Sequence, residues 1–230
     1  MRGSRVLSGA LDLLFPARCP FCGRTGGSRT GPCRGCEDAD FWIPPAERVF
    51  PGEHYVRCVC AGWYRDELRQ AVRQFKFGGR REYAEAYGRM LAGQVRLFLP
   101  GAYDAVTWMP VSGERLKERG YDQSRLIAQV LAGETGKPLL PLLEKGRDNP
   151  PQSSLRGWRA RRANVAGVYT VSDRAAAAGR RLLLVDDILT TGATMEEGAR
   201  TLRAAGAAQV VAAALCRTPR KDLGSWPDGA

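Results

Sequence analysis

The sequence predicts an α/β protein whose mainly parallel sheet is covered on both faces by helices, preceded by a small N-terminal unit built on four cysteines. Three observations carry this reading. From Gly101 onward short apolar runs alternate with helical patterns, as strand-helix-strand units require. The stretch RRLLLVDDILTTGATMEE, residues 180–197, ends an apolar run in two adjacent carboxylates and follows them with a small, hydroxyl-rich loop. Cys19, Cys22, Cys33 and Cys36 form two C-x-x-C pairs separated by ten residues.

Composition sets the bounds. With 230 residues, 44% hydrophobic and 26% charged, the chain suits one or two globular domains with a real core. A formal charge of +11 and a pI near 9.7 favour a phosphate-rich partner over an acidic protein or a membrane, a solvated basic surface being the plainer alternative. No apolar stretch approaches the length that spans a bilayer, so no membrane insertion is expected and the expected location is the cytoplasm. Basic residues before Val6 to Phe15 mimic a signal peptide. Asp12 interrupts that run, however, and Val6, Leu7, Ala10, Leu11 and Leu14 recur at helical spacing, which predicts a retained amphipathic helix.

The next element is the cysteine unit. Two C-x-x-C knuckles let four thiolates converge tetrahedrally, and Gly23 eases the turn that points backbone N–H groups at sulfur. The spacing predicts structural zinc in preference to disulfides or a redox pair. Four protein ligands leave no room for a water nucleophile, so this Zn²⁺ is expected to fold the segment and do no chemistry. Cys58 and Cys60, in C-x-C spacing, read as half-buried strand residues, with a second metal site as the alternative. Cys216 lies inside an apolar run and reads as core.

Residues 41–53, rich in proline and aromatics, read as a connector. From Arg65 a helical pattern places Leu68, Ala71, Val72 and Phe75 on one face, with Arg65, Arg69, Arg73 and Lys76 on another, and Gly78-Gly79 ends it. A second helix runs through Tyr83, Tyr87, Met90 and Leu91 to about Leu97. The expected division is residues 1–60 for the N-terminal helix and cysteine unit and 61–230 for the main domain, with a helical lead-in over 61–100 and an α/β core over 101–230.

Within the core, Asp104 to Pro110 reads as a buried strand, Gln123 to Gly133 as a helix and Lys137 to Leu143 as a short strand region. The polar stretch from Glu144 to Asn164 is long for a compact domain and suits a functional lid. The strands GVYTV and RLLLV follow, then a helix from about Met195 to Ala205 and the strand QVVAAALC.

In open α/β sheets ligands sit at the carboxyl ends of strands, where Asp186 and Asp187 stand. A glycine-containing loop entering a helix offers free N–H groups and a positive dipole end, which suits a phosphate dianion. Thr190, Thr191 and Thr194 add hydroxyl donors, while Gly192 and Ala193 keep the backbone accessible. Acceptors for sugar hydroxyls thus lie a few residues from phosphate donors, as a phosphorylated ribose would need. Adjacent aspartates also mark the magnesium site of receiver domains, but there the strand opens the domain, and only 43 residues follow Asp187.

LLLVDDILTTGAT resembles, at every motif position, the phosphoribosyl-pyrophosphate (PRPP) motif of type I phosphoribosyltransferases. The wider chain is similar to the ComF family of competence-associated phosphoribosyltransferase-like proteins, which also carry an N-terminal zinc ribbon. The carrying segments are LLDLLFPARCPFCG, FKFGGR, RLKERGYDQS and RDNPPQSSLRGWRARRANVAG. Asp122 stands where that family usually has asparagine, and Asn149 where threonine is common. The resemblance implies that Asp186 and Asp187 hold the ribose 2′ and 3′ hydroxyls and that Thr190, Thr191, Gly192, Ala193 and Thr194 hold the 5-phosphate.

Transfer from PRPP expels pyrophosphate from a cationic sugar, so cations are needed opposite the carboxylates. Val111, Ser112 and Gly113 are the expected pyrophosphate loop, with Arg115, Lys117 and Arg119 behind it and Arg156, Arg159, Arg161 and Arg162 on the lid. Mg²⁺ would arrive on the pyrophosphate. His54, the only histidine, reads as a surface residue. No acceptor signature is visible, so the phosphoribosyltransferase expectation stands beside a non-catalytic one. In the latter, a PRPP-binding competence factor holds single-stranded DNA on its basic surface, with Trp42, Trp63 and Phe77 as stacking rings and other competence proteins as partners.

Overall fold

Leucines alternate sides along residues 182–185, Leu182 and Leu184 entering one apolar core and Leu183 and Val185 the other, all without solvent exposure. A strand whose both faces are buried this way must lie inside a covered sheet. The computed structural model describes residues 17–26, 28–146 and 163–219. The expected helix over Val6 to Leu14 and the lid residues Arg156, Arg159, Arg161 and Arg162 lie outside the described residues.

In chain order the elements are α1 (Arg34–Glu37), a 3-10 turn (Pro45–Glu47), β1 (Val49–Phe50), β2 (Cys58–Trp63), α2 (Asp66–Phe77), α3 (Tyr83–Phe98), β3 (Ala105–Trp108), α4 (Gly113–Arg119) and α5 (Gln123–Thr135). There follow β4 (Leu143–Lys145), β5 (Tyr169–Val171), α6 (Arg174–Ala177), β6 (Arg181–Leu189), α7 (Ala193–Ala204) and β7 (Gln209–Arg217). The main sheet has the order β1-β2-β7-β6-β3, parallel except for the antiparallel edge strand β1. A separate antiparallel pair joins β4 to β5. This is the α/β, mainly parallel fold the sequence predicts.

One face of the sheet is covered by α3 and α5, whose Tyr87, Leu91, Ile127 and Leu131 enter the first core. The two helices approach closely at Gly88, where a Cβ would stand 2.4 Å from Val130 Cβ. The opposite face is covered by α7 through Met195, Ala199 and Leu202. Among the described residues no helix is long and apolar enough to cross a membrane.

Several expectations change in the folded chain. Residues 41–53 are more than a connector: Phe41 and Ile43 are buried, and the segment is bonded along β2, the Ile43 N–H donating to the Ala61 carbonyl, the Trp63 N–H to Phe41 and the Cys60 N–H to Arg48. Pro44 and Pro45, with φ pre-set, start the 3-10 turn inside this segment. The region 137–143 forms only an isolated bridge, Leu139 to Val106, before β4 begins at Leu143, because Pro138 and Pro141 lack the N–H a ladder requires. Cys58 and Cys60 are fully buried rather than half-buried, since β1 and β7 flank β2 on both edges. Their sulfurs lie 3.9 Å apart on one face, and no third ligand joins them among the described residues. Cys216 is core, as read.

Candidate functional site

The four N-terminal cysteines meet in space, their sulfurs all within 4.8 Å of one another. Individual separations are 3.9 Å for Cys19 to Cys36, 3.7 Å for Cys22 to Cys33 and 3.6 Å for Cys33 to Cys36. A tetrahedron of thiolates about 2.3 Å from a central Zn²⁺ has edges of about 3.8 Å, so the donor set fits a metal ion of this size. The turn is held by backbone bonds from Cys19 to Arg24 and from Gly23 to Cys19, with Gly23 at φ +74°. Burial and the neighbouring sulfurs push the Cys36 thiol far up. Burial acts the same way on Cys19, but backbone N–H groups of Phe21, Cys33 and Cys22 outweigh it and lower that thiol.

The cysteine unit shares the main core. Phe21 is fully buried with its ring centroid 5.5 Å from that of Tyr87 and 5.2 Å from that of Trp42. The Tyr87 hydroxyl donates to the Pro20 carbonyl at 2.5 Å, and Trp42 Nε1 donates to the Cys36 carbonyl. Trp42 and Trp63 are therefore half-buried packing residues, Trp63 lying against Phe50; of the three aromatics expected for stacking, Phe77 alone is largely exposed, at 62%.

The second site lies at the carboxyl end of β6. Asp186 and Asp187 are still within the strand, which continues to Leu189 and pairs Ile188 with Cys216, so the ladder holds both carboxylates in register. Asp186 Oδ1 accepts from Ser124 Oγ and from the Asp187 N–H, each at 2.8 Å. Burial first, then the charge of Asp187, raise the Asp186 carboxyl from 3.8 to about 7. Asp187 Oδ1 is bonded to Lys76 Nζ at 2.9 Å, with both side chains mostly buried. Lys76 was legible only as part of a charged helix face and of the FKFGGR segment; no local spacing ties it to an aspartate on a distant strand.

Beyond β6, Thr190, Thr191 and Gly192 lead directly into α7, which begins at Ala193 and includes Thr194. Gly192 takes φ +82°, a left-handed turn that an L side chain would strain. The Thr191 hydroxyl accepts from the Ala193 N–H at 3.4 Å. A strap over residues 52–55 crosses this helix start: Glu196 accepts from the N–H groups of Glu53 and His54, each at 2.8 Å, and from His54 Nδ1 at 3.3 Å. His54 is thus a partly buried clasp rather than a plain surface residue. The next residue, Glu197, accepts from the Gly167 N–H at 2.7 Å and pairs with Arg200, which lowers its pKa. The polar 144–164 stretch is therefore followed by a backbone point fastened to α7.

The loop after β3 faces the same end of the sheet. Ser112 is buried at the start of α4, Arg115 and Arg119 are half-buried, and Lys117 is exposed. Arg119 donates to Gln123 Oε1 at 2.9 Å, and its guanidinium lies 4.6 Å from the Phe77 ring centroid. Asp122, whose role the sequence left open, fixes the loop. Its Oδ2 accepts from the Val111 N–H at 3.2 Å and from Trp108 Nε1 at 3.3 Å, while Oδ1 caps α5 by accepting from the Arg125 N–H at 3.0 Å. Burial raises its pKa. All three partners are donors, a set a carboxylate satisfies and an asparagine would meet with one N–H facing another. The structure thus gathers the acid pair, the threonine loop and the post-β3 loop about the carboxyl ends of β6 and β3, with Lys76 added to them.

Comparison with known proteins agrees with this architecture. Residues 125–225 match the phosphoribosyl transferase domain family. The DNA utilization protein YhgH of Salmonella typhi is 31% identical over 208 residues, covering 87% of this chain and 84% of that one. Competence protein ComFC of Bacillus subtilis is 28% identical over 193 residues, covering 84% and 74%. Among solved structures, glutamine phosphoribosylpyrophosphate amidotransferase from B. subtilis, complexed with ADP and GMP, superposes with a TM-score of 0.40 at 25% identity, covering 57% of this chain and 26% of that one. With the parallel sheet, the acid pair and the cysteine cluster on the same chain, this protein belongs to the ComF family of competence-associated proteins with a type I phosphoribosyltransferase fold.

Proposed function

We propose that this chain binds PRPP with Mg²⁺ across the carboxyl ends of β6 and β3 and transfers the phosphoribosyl group to an acceptor, releasing pyrophosphate. The observation that carries the reading is the carboxylate pair held in register at the end of β6, followed at once by a glycine turn into the N-terminus of α7. In this reading Asp186 and Asp187 accept hydrogen bonds from the ribose hydroxyls. Thr190, Thr191, Gly192, Ala193 and Thr194 receive the 5-phosphate through hydroxyls, backbone N–H groups and the positive end of the α7 dipole.

The reacting bond joins C1 of ribose to pyrophosphate, and as it lengthens the sugar becomes cationic while the leaving group gathers charge. Val111, Ser112 and Gly113 cradle that polyanion, with Arg115, Lys117 and Arg119 as cations behind it and the arginines at 156, 159, 161 and 162 as a cover. Mg²⁺ bound to the pyrophosphate would supply charge neutralisation there. The protein's own contribution is orientation and preorganised charge: the ring is held by the acid pair and the phosphate loop, so C1 stays facing the cations. We further propose that the four cysteines hold zinc with a purely structural role. Four thiolates on one ion suit a reducing compartment, which is why the cytoplasm remains the proposed location. The two-part division at about residue 60 is likewise a proposal, with β2 shared at the join.

Isothermal calorimetry tests the site. Asp187→Asn keeps shape and removes a charged acceptor, and hydrogen bonds to charged groups are worth roughly 1.5–3 kcal/mol, so PRPP affinity should fall by about tenfold or more. Equal binding by wild type and variant would refute the assignment. Release of pyrophosphate from PRPP across candidate bases and single-stranded DNA tests turnover.

A second reading keeps PRPP binding without turnover and adds single-stranded DNA. It is favoured by the names of the relatives, by the charge of +11 and by the exposed Phe77 ring beside Arg119. Backbone binding of this kind must weaken steeply between low and physiological salt, and an affinity flat across that range would eliminate it.

A further inference from the structure

Resting on the donor-site reading, we propose that Lys76 is a transferable countercharge. It holds Asp187 before the donor arrives, gives that carboxylate up to a ribose hydroxyl, and passes to the incoming pyrophosphate.

The geometry supplies each part. Lys76 is the penultimate residue of α2, and its ammonium lies 2.9 Å from Asp187 Oδ1, with 18% and 10% of the two side chains exposed. An ammonium seated there covers the carboxylate that a ribose hydroxyl would have to reach. Both are donors, and they compete for the lone pairs on one side of Asp187. A buried ion pair of this kind adds little net stability compared with apolar packing, because both ions lose water. Its value is better sought in what happens when the pair opens.

Lysine suits a handover and arginine does not. Its charge sits on a flexible four-carbon stem and its three donors reorient freely, so the head can move without its helix moving. A second cation that feels the Asp187 charge is more constrained: Arg119 is bonded to Gln123 and stacked on Phe77. Lys76 also stands in the last turn of α2, where the negative end of the helix dipole retains a cation in either position. If PRPP displaced Lys76 with no new partner, a mostly buried ammonium would be stranded. Pyrophosphate removes that penalty, so the ion pair penalises ligands bearing the sugar without the leaving group.

Ribose 5-phosphate has the hydroxyls and the 5-phosphate but no pyrophosphate, which makes it the diagnostic probe. Calorimetry with Mg²⁺–PRPP and with ribose 5-phosphate should be run on wild type, Lys76→Met and Lys76→Arg. Lys76→Met should lose about tenfold or more in PRPP affinity, the scale of one charge-assisted bond. Its affinity for ribose 5-phosphate should hold or rise because the competitor is gone, and Lys76→Arg should recover part of the PRPP preference. If Lys76→Met does not fold, Lys76→Gln, whose neutral amide can bond to Asp187 but brings no charge to pyrophosphate, should still lose PRPP affinity while holding that for ribose 5-phosphate. Equal fractional losses for both ligands, or no change for either, would overturn the role of Lys76 while leaving the donor site standing. Wild-type protein that binds neither ligand would overturn the donor-site reading and this proposal together.

Discussion

Replacing Asp186 by asparagine should stabilise this protein, and only in a defined pH range. The Asp186 carboxyl is raised from 3.8 to about 7, by burial first and by the neighbouring Asp187 charge second. A group whose pKa rises on folding contributes stability that is fully present below the unfolded value and is lost as pH climbs through the folded one. Between about pH 4 and 7 the unfolded chain has released this proton while the native state still holds it, so stability falls with each unit of pH, and above about 7 the native carboxylate carries the full penalty. The rise corresponds to a ceiling of roughly 4 kcal/mol. Asp186 retains some exposure and lies within the field of Lys76, which reduces the expected effect to about 2 kcal/mol. Asparagine can keep both existing bonds, since Ser124 and the Asp187 N–H donate to one oxygen, while its amide N–H₂ replaces the charged oxygen beside Asp187. In denaturant unfolding with zinc present, Asp186→Asn should exceed wild type by about 2 kcal/mol at pH 8, or about 4–8 °C in Tm for a chain of this size. The two should converge near pH 4. A variant less stable than wild type at pH 8, or a gain equal at both pH values, would refute the electrostatic account.

Three further outcomes can be checked directly. Removing the metal from the four-cysteine cluster should unfold the N-terminal unit, because structural zinc contributes roughly 10–16 kcal/mol to such segments; the readout is Trp42 fluorescence, since that indole packs on Phe21 and bonds to the Cys36 carbonyl. Gly88→Ala should destabilise by about 1–3 kcal/mol in a chemical melt, as the new methyl would stand 2.4 Å from Val130 Cβ and 3.0 Å from the Ile127 carbonyl oxygen, which cannot retreat without moving α5. Asp122→Ala should cost about 2 kcal/mol through loss of the α5 cap and of the acceptor for Val111 and Trp108; hydrogen exchange should accelerate at the Val111 amide, and unchanged exchange there would remove Asp122 as the support of that loop.

What the sequence determined on its own is what short covalent spacing can encode. Two C-x-x-C pairs place four sulfurs on tight turns, and only convergence remains to be found. The apolar run before Asp186 and the glycine turn after Thr191 specify strand, loop and helix start within a dozen residues, so the order of acid pair and threonine loop was legible. Helical periodicity likewise marked Leu68, Ala71, Val72 and Phe75 as a buried face, as they are. Tertiary structure decided whatever depends on how distant elements come to rest against one another. Lys76 and Asp187 meet because the end of α2 reaches the carboxyl end of β6, and periodicity can say which face of α2 is polar but not which strand end it meets. Asp122 became the acceptor for three donors, and Glu196 the anchor for residues 53 and 54, through contacts that no local pattern encodes. Cys58 and Cys60 were underestimated in burial for the same reason: alternation reveals that a strand has two faces, and only the neighbours β1 and β7, with the layers packed on them, determine that neither face meets water.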